Sequence, residues 1–263
     1  MRFTKMEGLG NDYLYVYGPV PDNVMELSRR LSDRHFGPGA DGMIYIYPTD
    51  SADFSMRIFN ADGSEAKMCG NGIRCVGKYV YDKGYTKKTE LSIATLSGIR
   101  NIRLFTEEGR VKNVSVDMGQ AKVEEDRTLY ISYREIHYNY VSVGNPHAVV
   151  FVDDIDSVPV GDLGRQIEAN SAFPDGINVE FVKAFSGNKL RLKVWERGSG
   201  ITMACGTGAC AASAAAIKRG LCDHESSVSV ILDGGVLNIS TDNAGEIVMT
   251  GPANTVYEGE IEI

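Results

Sequence analysis

The amino-acid sequence predicts an α+β protein made of two similar domains, with sheet wrapped closely round at least one helix. Three observations carry this reading: an internal repeat, a series of strand-like segments interrupted by four short helical stretches, and one helix that is apolar on every side.

The repeat sets the domain organisation. Placing Cys69 on Cys205, an offset of 136 residues, lays MCGNGIRCVGKYVYDKG (68–84) over ACGTGACAASAAAIKRG (204–220). Gly70 then meets Gly206, Gly72 meets Gly208 and Gly84 meets Gly220. The register continues without a gap, so MRIFN (56–60) lies over LKVWE (192–196), and Gly98 and Gly109 meet Gly234 and Gly245. Nearer the start of each half the offset is 134, where Gly10-Asn11 meets Gly144-Asn145 and Asp41-Gly42 meets Asp175-Gly176. So long a period is not that of a solenoid and implies two copies of one unit.

The strands come next. RFTKME, MIYIYP, FSMRIFN, LSIAT and VKNVSVDM in the first half alternate or run apolar between turn signals, as strands do. YVSV, HAVVFVD, INVEFVKA, KLRLKVWE, VSVILD, VLNIST and EIVMTG do so in the second. Helical stretches fall near 23–34, 71–83, 161–170 and 207–219, with Gly84 and Gly220 placed to close two of them. The stretch 207–219 is rich in alanine, six of its 13 residues, with Ile217. A helix apolar around its whole circumference is buried on all sides, and side chains this small let a sheet approach closely.

Composition narrows the functional classes. The 263 residues carry 27 Lys and Arg against 35 Asp and Glu, a formal net charge of −8. Nucleic-acid binding needs a basic face, so no nucleic-acid partner is expected. No segment nears the ~18 apolar residues of a membrane span, and MRFTKMEGLGNDY has no apolar h-region or small-residue cleavage site. Neither membrane association nor a secretory signal is expected. Five cysteines, an odd number, argue against a disulfide scaffold and for a reducing cytoplasm. The spacings Cys69-x5-Cys75 and Cys205-x4-Cys210 are not paired C-x2-C zinc knuckles, so no metal is expected. GNGIRC lacks the third glycine and the acidic residue of a dinucleotide fingerprint.

The duplicated cysteines point to chemistry. A thiol at a helix start faces N–H groups that have no intrahelical acceptor and the positive end of the helix dipole, and both favour thiolate. The neighbouring glycines let backbone approach a ligand, and N–H groups there can hold a carboxylate. Two such elements facing one molecule suit inversion of a stereocentre: one thiolate removes an α-proton, and the opposite thiol delivers a proton to the other face.

MEGLGNDY (6–13), FNADGSEAKMCGNGIRC (59–75), VGNPHAV (143–149), DGINVEFV (175–182), ERGSGITMACGTGACA (196–211) and the GPA…VYEG ending (251–259) together resemble the diaminopimelate epimerase family over essentially the whole chain. The resemblance implies two pseudo-symmetric α/β domains, each a mostly antiparallel or mixed sheet wrapped round a central helix. The first is expected over 1–119 with a returning C-terminal strand at 252–263, and the second over 120–251, with the site in the cleft between them and a homodimer as the common assembly. It implies a cofactor-independent epimerase acting on a small amino acid, interconverting LL- and meso-diaminopimelate in lysine and peptidoglycan precursor synthesis. Cys69 and Cys205 are then the acid–base pair, and Gly70, Asn71, Gly206 and Thr207 offer backbone N–H groups to the reacting carboxylate. Asn11, Asn60, Asn145, Asn178, Glu196 and Arg197 match polar substrate-binding positions, Arg197 as the fork for the distal carboxylate. Glu196 and His147 match positions that tune the thiols. Gly42 departs from a glutamine that some family members carry there.

Other residues have plainer readings. Cys75, Cys210 and Cys222 have no equivalents in the repeat and read as inert thiols. His35, His137 and His224 read as structural or surface residues, Asp62 as a turn former and Trp195 as core. Gly-Asn is commonly a turn, yet the match of Asn11 with Asn145 across the repeat points to function. His147 is open between a hydrogen-bonded core histidine and a tuning group. Two rivals stand beside the epimerase reading: a racemase of another amino acid on the same scaffold, and a thiol redox sensor or binding module. The polar cluster of Asn60, Asn178 and Arg197, suited to a second carboxylate, favours the epimerase.

Overall fold

Apolar runs bounded by glycine and polar turns become strands, and the segments of helical period become crossovers between parallel strands. The computed structural model describes residues 1–131, 133–242 and 244–263. Packing groups them into two units, Met1–Asp117 with Thr250–Ile263, and Met118–Met249. The first contains β1 (Arg2–Gly8), β2 (Asn11–Tyr17), α1 (Val24–Ser32), β3 (Gly42–Tyr47), β4 (Phe54–Asn60), β5 (Glu65–Ala66), α2 (Gly70–Asp82), β6 (Glu90–Thr95) and β7 (Gly98–Glu107), and β8 (Arg110–Gln120) leads out of it. The second contains β9 (Lys122–Ile131), β10 (Arg134–Ser142), β11 (Pro146–Phe151), α3 (Val160–Glu168), β12 (Asn178–Phe185), β13 (Lys189–Glu196), β14 (Gly200–Ile201), α4 (Gly206–Lys218), β15 (Val228–Leu232) and β16 (Gly235–Thr241). β17 (Glu246–Pro252) leads to β18 (Asn254–Glu260), which belongs to the first unit.

The two units repeat one topology. In the first, strands pair in the order β18-β1-β2-β3-β4-β6-β7-β8, with β2–β3 and β4–β6 parallel and the rest antiparallel. In the second the order is β9-β10-β11-β12-β13-β15-β16, with β11–β12 and β13–β15 parallel. A parallel pair needs a crossover, and each of the four helices lies in one. Helices on the strands bury most of β2 and β3 and the first five residues of β12, which is why they read as continuous apolar runs rather than alternating ones.

The pairing register corrects one detail of the repeat. Tyr13 pairs with Gly42 across β2 and β3, and His147 pairs with Asn178 across β11 and β12. The counterpart of Gly42 is therefore Asn178 and not Gly176, because the connection through α3 is two residues longer than that through α1. A Cβ on Gly42 would lie 2.2 Å from the Phe59 carbonyl oxygen. This backbone has no room there for the side chain that some relatives carry.

α1 lays Val24, Leu27 and Leu31 on Leu14, Val16, Met43 and Phe59, and α3 lays Val160 and Ile167 on Ala148, Val150, Val179 and Phe181. The other helix of each unit is the enclosed one. α4 touches β9 to β13, β15 and β16, with Ala209, Ala211, Ala212, Ala215 and Ala216 fully buried. α2 solves the same problem with glycine: a Cβ on Gly77 would lie 2.6 Å from Ile102 Cδ1. Both helices stop at a glycine in the left-handed region, Gly84 (φ 79°) and Gly220 (φ 70°), the residue best suited to that C-terminal cap. Among the described residues no helix is long and apolar enough to cross a membrane.

An ionic cluster ties β1 and β2 to the loop after α1. Asp12 takes Lys5 Nζ at 2.9 Å and both terminal nitrogens of Arg34 at 3.1 and 2.7 Å. Burial pushes the Asp12 carboxyl up, but the hydrogen bonds from Arg34 and Lys5 outweigh it and hold it below the ordinary carboxylate range. A group depressed in the folded state stabilises above its unfolded pKa and loses that contribution as pH falls through its folded one. Asp12→Asn is expected to cost about 2 kcal/mol at pH 7. Urea titrations of the variant and the parent should converge as the pH drops below about 4.

Candidate active site

Each repeat of Cys-Gly-x-Gly forms the start of an enclosed helix, and the cysteine is its N-cap. Cys69 is extended (φ −140°, ψ 117°), and its Sγ accepts the Gly72 N–H at 3.3 Å. Cys205 is extended (φ −119°, ψ 112°), and its Sγ accepts the Gly208 N–H at 3.3 Å. Sulfur thus stands where a Ser or Asp oxygen usually caps a helix, and the donated N–H favours the thiolate. The glycines are needed for close approach. A Cβ on Gly72 would lie 2.8 Å from Ile44 Cδ1, and one on Gly208 would lie 2.7 Å from Glu180 Oε1.

Around Cys69, Asn11 accepts a hydrogen bond from Sγ on its Oδ1 at 3.3 Å. The amide is turned that way because its Nδ2 donates to Asp41 Oδ2 at 2.8 Å, and Asp41 is itself held by Arg34 at 2.9 Å. Arg74, in the second turn of α2, is fully buried. Its Nε donates to the Pro252 carbonyl at 3.1 Å and its Nη1 to the Gly70 carbonyl at 3.2 Å. Burial pushes the guanidinium pKa down, and the neighbouring Cys75 and Cys69 act against that. Asn71 is buried beside them in the first turn. Asn60 ends β4 and turns to Ser64, donating to its Oγ at 3.0 Å.

Around Cys205 a longer chain of side chains is assembled. Thr207 Oγ1 lies 3.5 Å from Cys205 Sγ and accepts from Asn145 Nδ2 at 3.3 Å. Asn145 Oδ1 is 3.1 Å from His147 Nε2, and His147 Nδ1 is 2.7 Å from Glu180 Oε1. The side chains of His147 and Glu180 are both 0% exposed. Burial pushes the Cys205 thiol well above its ordinary pKa, and the Glu196 and Glu180 carboxyls push the same way, opposed by the Thr207 and Gly208 hydrogen bonds. Glu196 is raised as well, by burial, while hydrogen bonds from Thr202 and Cys205 hold it back. The Thr202 hydroxyl donates to Glu196 Oε1 at 2.5 Å.

Asn178 and Arg197 form a separate pair: Asn178 Oδ1 accepts the Arg197 backbone N–H at 3.0 Å, while its Nδ2 donates to the Pro146 carbonyl at 3.0 Å. The exposed Arg197 side chain donates to the Asp175 carbonyl at 2.9 Å. It lies over Gly176, where a Cβ would come within 2.9 Å of its Cδ.

Of the residues singled out from sequence, Asn11 thus joins Cys69, Asn145, His147, Thr207 and Glu196 join Cys205, and Gly70 and Gly206 open the two helices. Four supporting residues were not legible: Asp41, Arg74, Glu180 and Thr202. Glu180 alone had a signal, as a charged residue inside the apolar run INVEFV. Cys75 and Cys210 are fully buried, and burial raises the Cys75 thiol to about 12. Trp195 donates to Glu168 at 2.6 Å and packs on the core of its unit. Among the described residues no group of three or more His, Cys, Asp or Glu is gathered to hold a metal ion.

The sequence model of the diaminopimelate epimerase family matches residues 3–124 and 139–256. Among curated relatives, the diaminopimelate epimerase of Parabacteroides distasonis is 48% identical over all of this chain and 98% of its own. That of Methanococcus maripaludis strain S2 is 47% identical over the full length of both chains, and that of Acetivibrio thermocellus is 44% identical over all of this chain and 99% of its own. Solved structures of similar fold include a probable proline racemase from Agrobacterium radiobacter (TM-score 0.74, 18% identity, 100% of this chain and 93% of that one). Another is a hydroxyproline epimerase from Agrobacterium vitis (TM-score 0.72, 17% identity, 98% and 91%). A third is a PhzF-family phenazine biosynthesis protein from Bacillus anthracis (TM-score 0.75, 15% identity, 100% and 99%).

The electrostatics around Cys205 predict that Glu196→Gln, by removing a carboxyl that disfavours the thiolate, moves Cys205 alkylation to lower pH. Mass-spectrometric mapping of iodoacetamide adducts across pH checks this. In the same maps the half-buried Cys69 is expected to label before the buried Cys205, with Cys75 and Cys210 unlabelled in the folded protein.

Proposed function

The chain belongs to the diaminopimelate epimerase family, and on that premise we propose that it interconverts LL- and meso-diaminopimelate by two-base proton transfer between Cys69 and Cys205, without pyridoxal phosphate. The observation that carries the reading is the duplicated capping geometry, in which each thiol accepts the third N–H of its helix at 3.3 Å. Each half of the chain, 1–119 with 252–263 and 120–251, supplies one thiol to one substrate α-carbon.

In one direction the first thiol, as thiolate, takes the α-proton and becomes a neutral thiol. The electron pair left on the α-carbon delocalises into the adjacent carboxylate. The second thiol then gives its proton to the opposite face and is left as thiolate. One proton has been taken and one given, and the roles of the two sulfurs are exchanged, which is what the reverse reaction requires. Chemically identical groups on the two faces follow from that need.

The carboxylate gains charge as the α-proton leaves. In this reading the first-turn N–H groups of Gly70, Asn71, Gly206 and Thr207 meet it, and donors preorganised for developing charge lower the barrier most. Arg197 offers a planar fork for the distal carboxylate. Asn11, Asn60, Asn145, Asn178 and Glu196 complete the polar contacts. His147 and Glu196 tune the Cys205 thiol. The distal carboxylate distinguishes this substrate from amino acids with apolar or basic side chains. The working form is a cytoplasmic homodimer acting on the free amino acid in lysine and peptidoglycan precursor synthesis.

The test is incubation of the purified protein with LL-diaminopimelate in D2O without pyridoxal phosphate, following α-deuterium incorporation and meso formation. Absence of both rejects the assignment. Cys69→Ala and Cys205→Ala are each expected to lower turnover by about 1000-fold or more, and parental rates in either would reject the mechanism. Arg197→Met is expected to raise KM by about 10- to 100-fold with a smaller change in kcat, as loss of a contact common to ground and transition states does.

A further inference from the structure

The two half-sites share their topology but not their hydrogen-bond polarity. In β3, Ile44 lies under the start of α2, where a Cβ on Gly72 would meet its Cδ1 at 2.8 Å. In β12, Glu180 lies under the start of α4, where a Cβ on Gly208 would meet its Oε1 at 2.7 Å. The register makes the two residues counterparts, since Gly42 corresponds to Asn178 and each stands two positions further on. By the same register Tyr13 corresponds to His147. One copy of the fold thus does without a carboxyl at this place, and the other buries one completely. Its Oε2 has no hydrogen-bond partner among the described residues. Burying a carboxyl with an unpaired oxygen is costly, and the first copy shows that packing does not require it.

The chain of bonds shows what Glu180 does. Asn145 donates from Nδ2 to Thr207, so its Oδ1 is the acceptor for His147, which assigns a proton to Nε2. The 2.7 Å contact between Nδ1 and Glu180 Oε1 then holds one proton, on whichever of the two atoms, and the pair is neutral overall. Thr207 accepts from Asn145, and its own hydroxyl proton is left to point at Cys205 Sγ, 3.5 Å away. In the first half-site the polarity is opposite. Asp41 takes Nδ2 of Asn11, and the Oδ1 faces sulfur as an acceptor.

We propose that Glu180 is a positioning residue of the second half-site, which through His147 and Asn145 fixes the Thr207 hydroxyl as a hydrogen-bond donor to Cys205. Without a carboxyl at 180, nothing fixes which ring nitrogen of His147 carries the proton. A proton on Nδ1 would reverse the Asn145 amide and draw the Thr207 hydroxyl to Asn145 Oδ1, away from sulfur. The proposal deepens the epimerase reading, and its importance for turnover rests on that reading.

The test compares Glu180→Ile, which copies residue 44, with Glu180→Gln, whose amide can donate to Nδ1 and keep the proton on Nε2. Full-length protein is treated with methyl methanethiosulfonate across pH, and both thiols are mapped in the same sample. Among the described residues the carboxyls acting on Cys205 are Glu196 from β13 and Glu180 from β12, with His147 from β11 bonded to the latter, and of the two carboxyls only Glu196 remains in both variants. Because the Glu180–His147 pair is neutral overall, loss of the Thr207 hydrogen bond outweighs relief of the Glu180 carboxyl's push on the thiol, and Glu180→Ile is expected to slow modification of Cys205 about tenfold at fixed pH, its profile moving to higher pH, with Cys69 unchanged. Glu180→Gln is expected to bring Cys205 back to within about threefold of the parent. If both variants move Cys205 to lower pH alike, Glu180 acts by its charge alone and the proposal is overturned. It is also overturned if Cys69 moves as much as Cys205, or if neither variant moves Cys205. No substrate enters these measurements. A parent protein inert toward diaminopimelate would reject the epimerase reading and leave this comparison to decide the role of Glu180.

Discussion

The hydrogen bond from the third N–H of a helix to the sulfur that caps it is the constraint from which the other features follow. To receive it, the cysteine must be extended and sit one residue before the helix, and the donor residue must have no side chain. At Gly72 and Gly208 a Cβ would run into the strand below at 2.8 and 2.7 Å. The helix start is therefore pressed directly onto β3 in one unit and β12 in the other. A helix end held that close can lie only inside its sheet, which in turn demands small side chains along it. α4 meets this with alanine and α2 with Gly77. Packing density is high enough in such interiors that even one added methyl is felt.

Duplication gives two copies of that constraint, and several departures between copies fall beside the sulfur. The strand orders agree, the four helices occupy equivalent crossovers, and the C-terminal glycine caps coincide. What differs is Ile44 against Glu180, Tyr13 against His147, and Arg74 against Cys210 at the shared offset. A fold satisfied by apolar residues at one of these places has no packing reason for charge at the other. Local departures from an otherwise consistent pattern are where function is expected. The first thiol lies near a buried guanidinium and faces a carbonyl, and the second lies near carboxyls and faces a hydroxyl. Two-base inversion is well served by chemically equivalent groups, but nothing requires identical surroundings.

Much of this was legible in the sequence for a specific reason. Strands covered on both faces read as continuous apolar runs, and a helix enclosed by sheet reads as a run of alanine and other small residues, so IYIY, VEFV and ACAASAAA announce their burial. The Cys-Gly-x-Gly pair was legible because capping geometry is local: the cysteine, the donor glycine and the first turn lie within four residues. The resemblance to a known family rested on the same short, dense motifs. The register of the repeat was less secure. It slipped by two residues at Gly42, because a helical crossover can lengthen without leaving a mark in the strands on either side.

What the sequence determined by itself was the duplicated scaffold, the two capping thiols and the class of chemistry they suit, since each follows from residues close in the chain. What only the tertiary structure decided was the wiring of each thiol. Asp41 sets the Asn11 amide from 30 residues away, and Glu180 reaches His147 across 33. Hydrogen-bond polarity depends on which atom of an amide or imidazole faces which neighbour. That is fixed by strand register and burial, and no spacing along the chain encodes it.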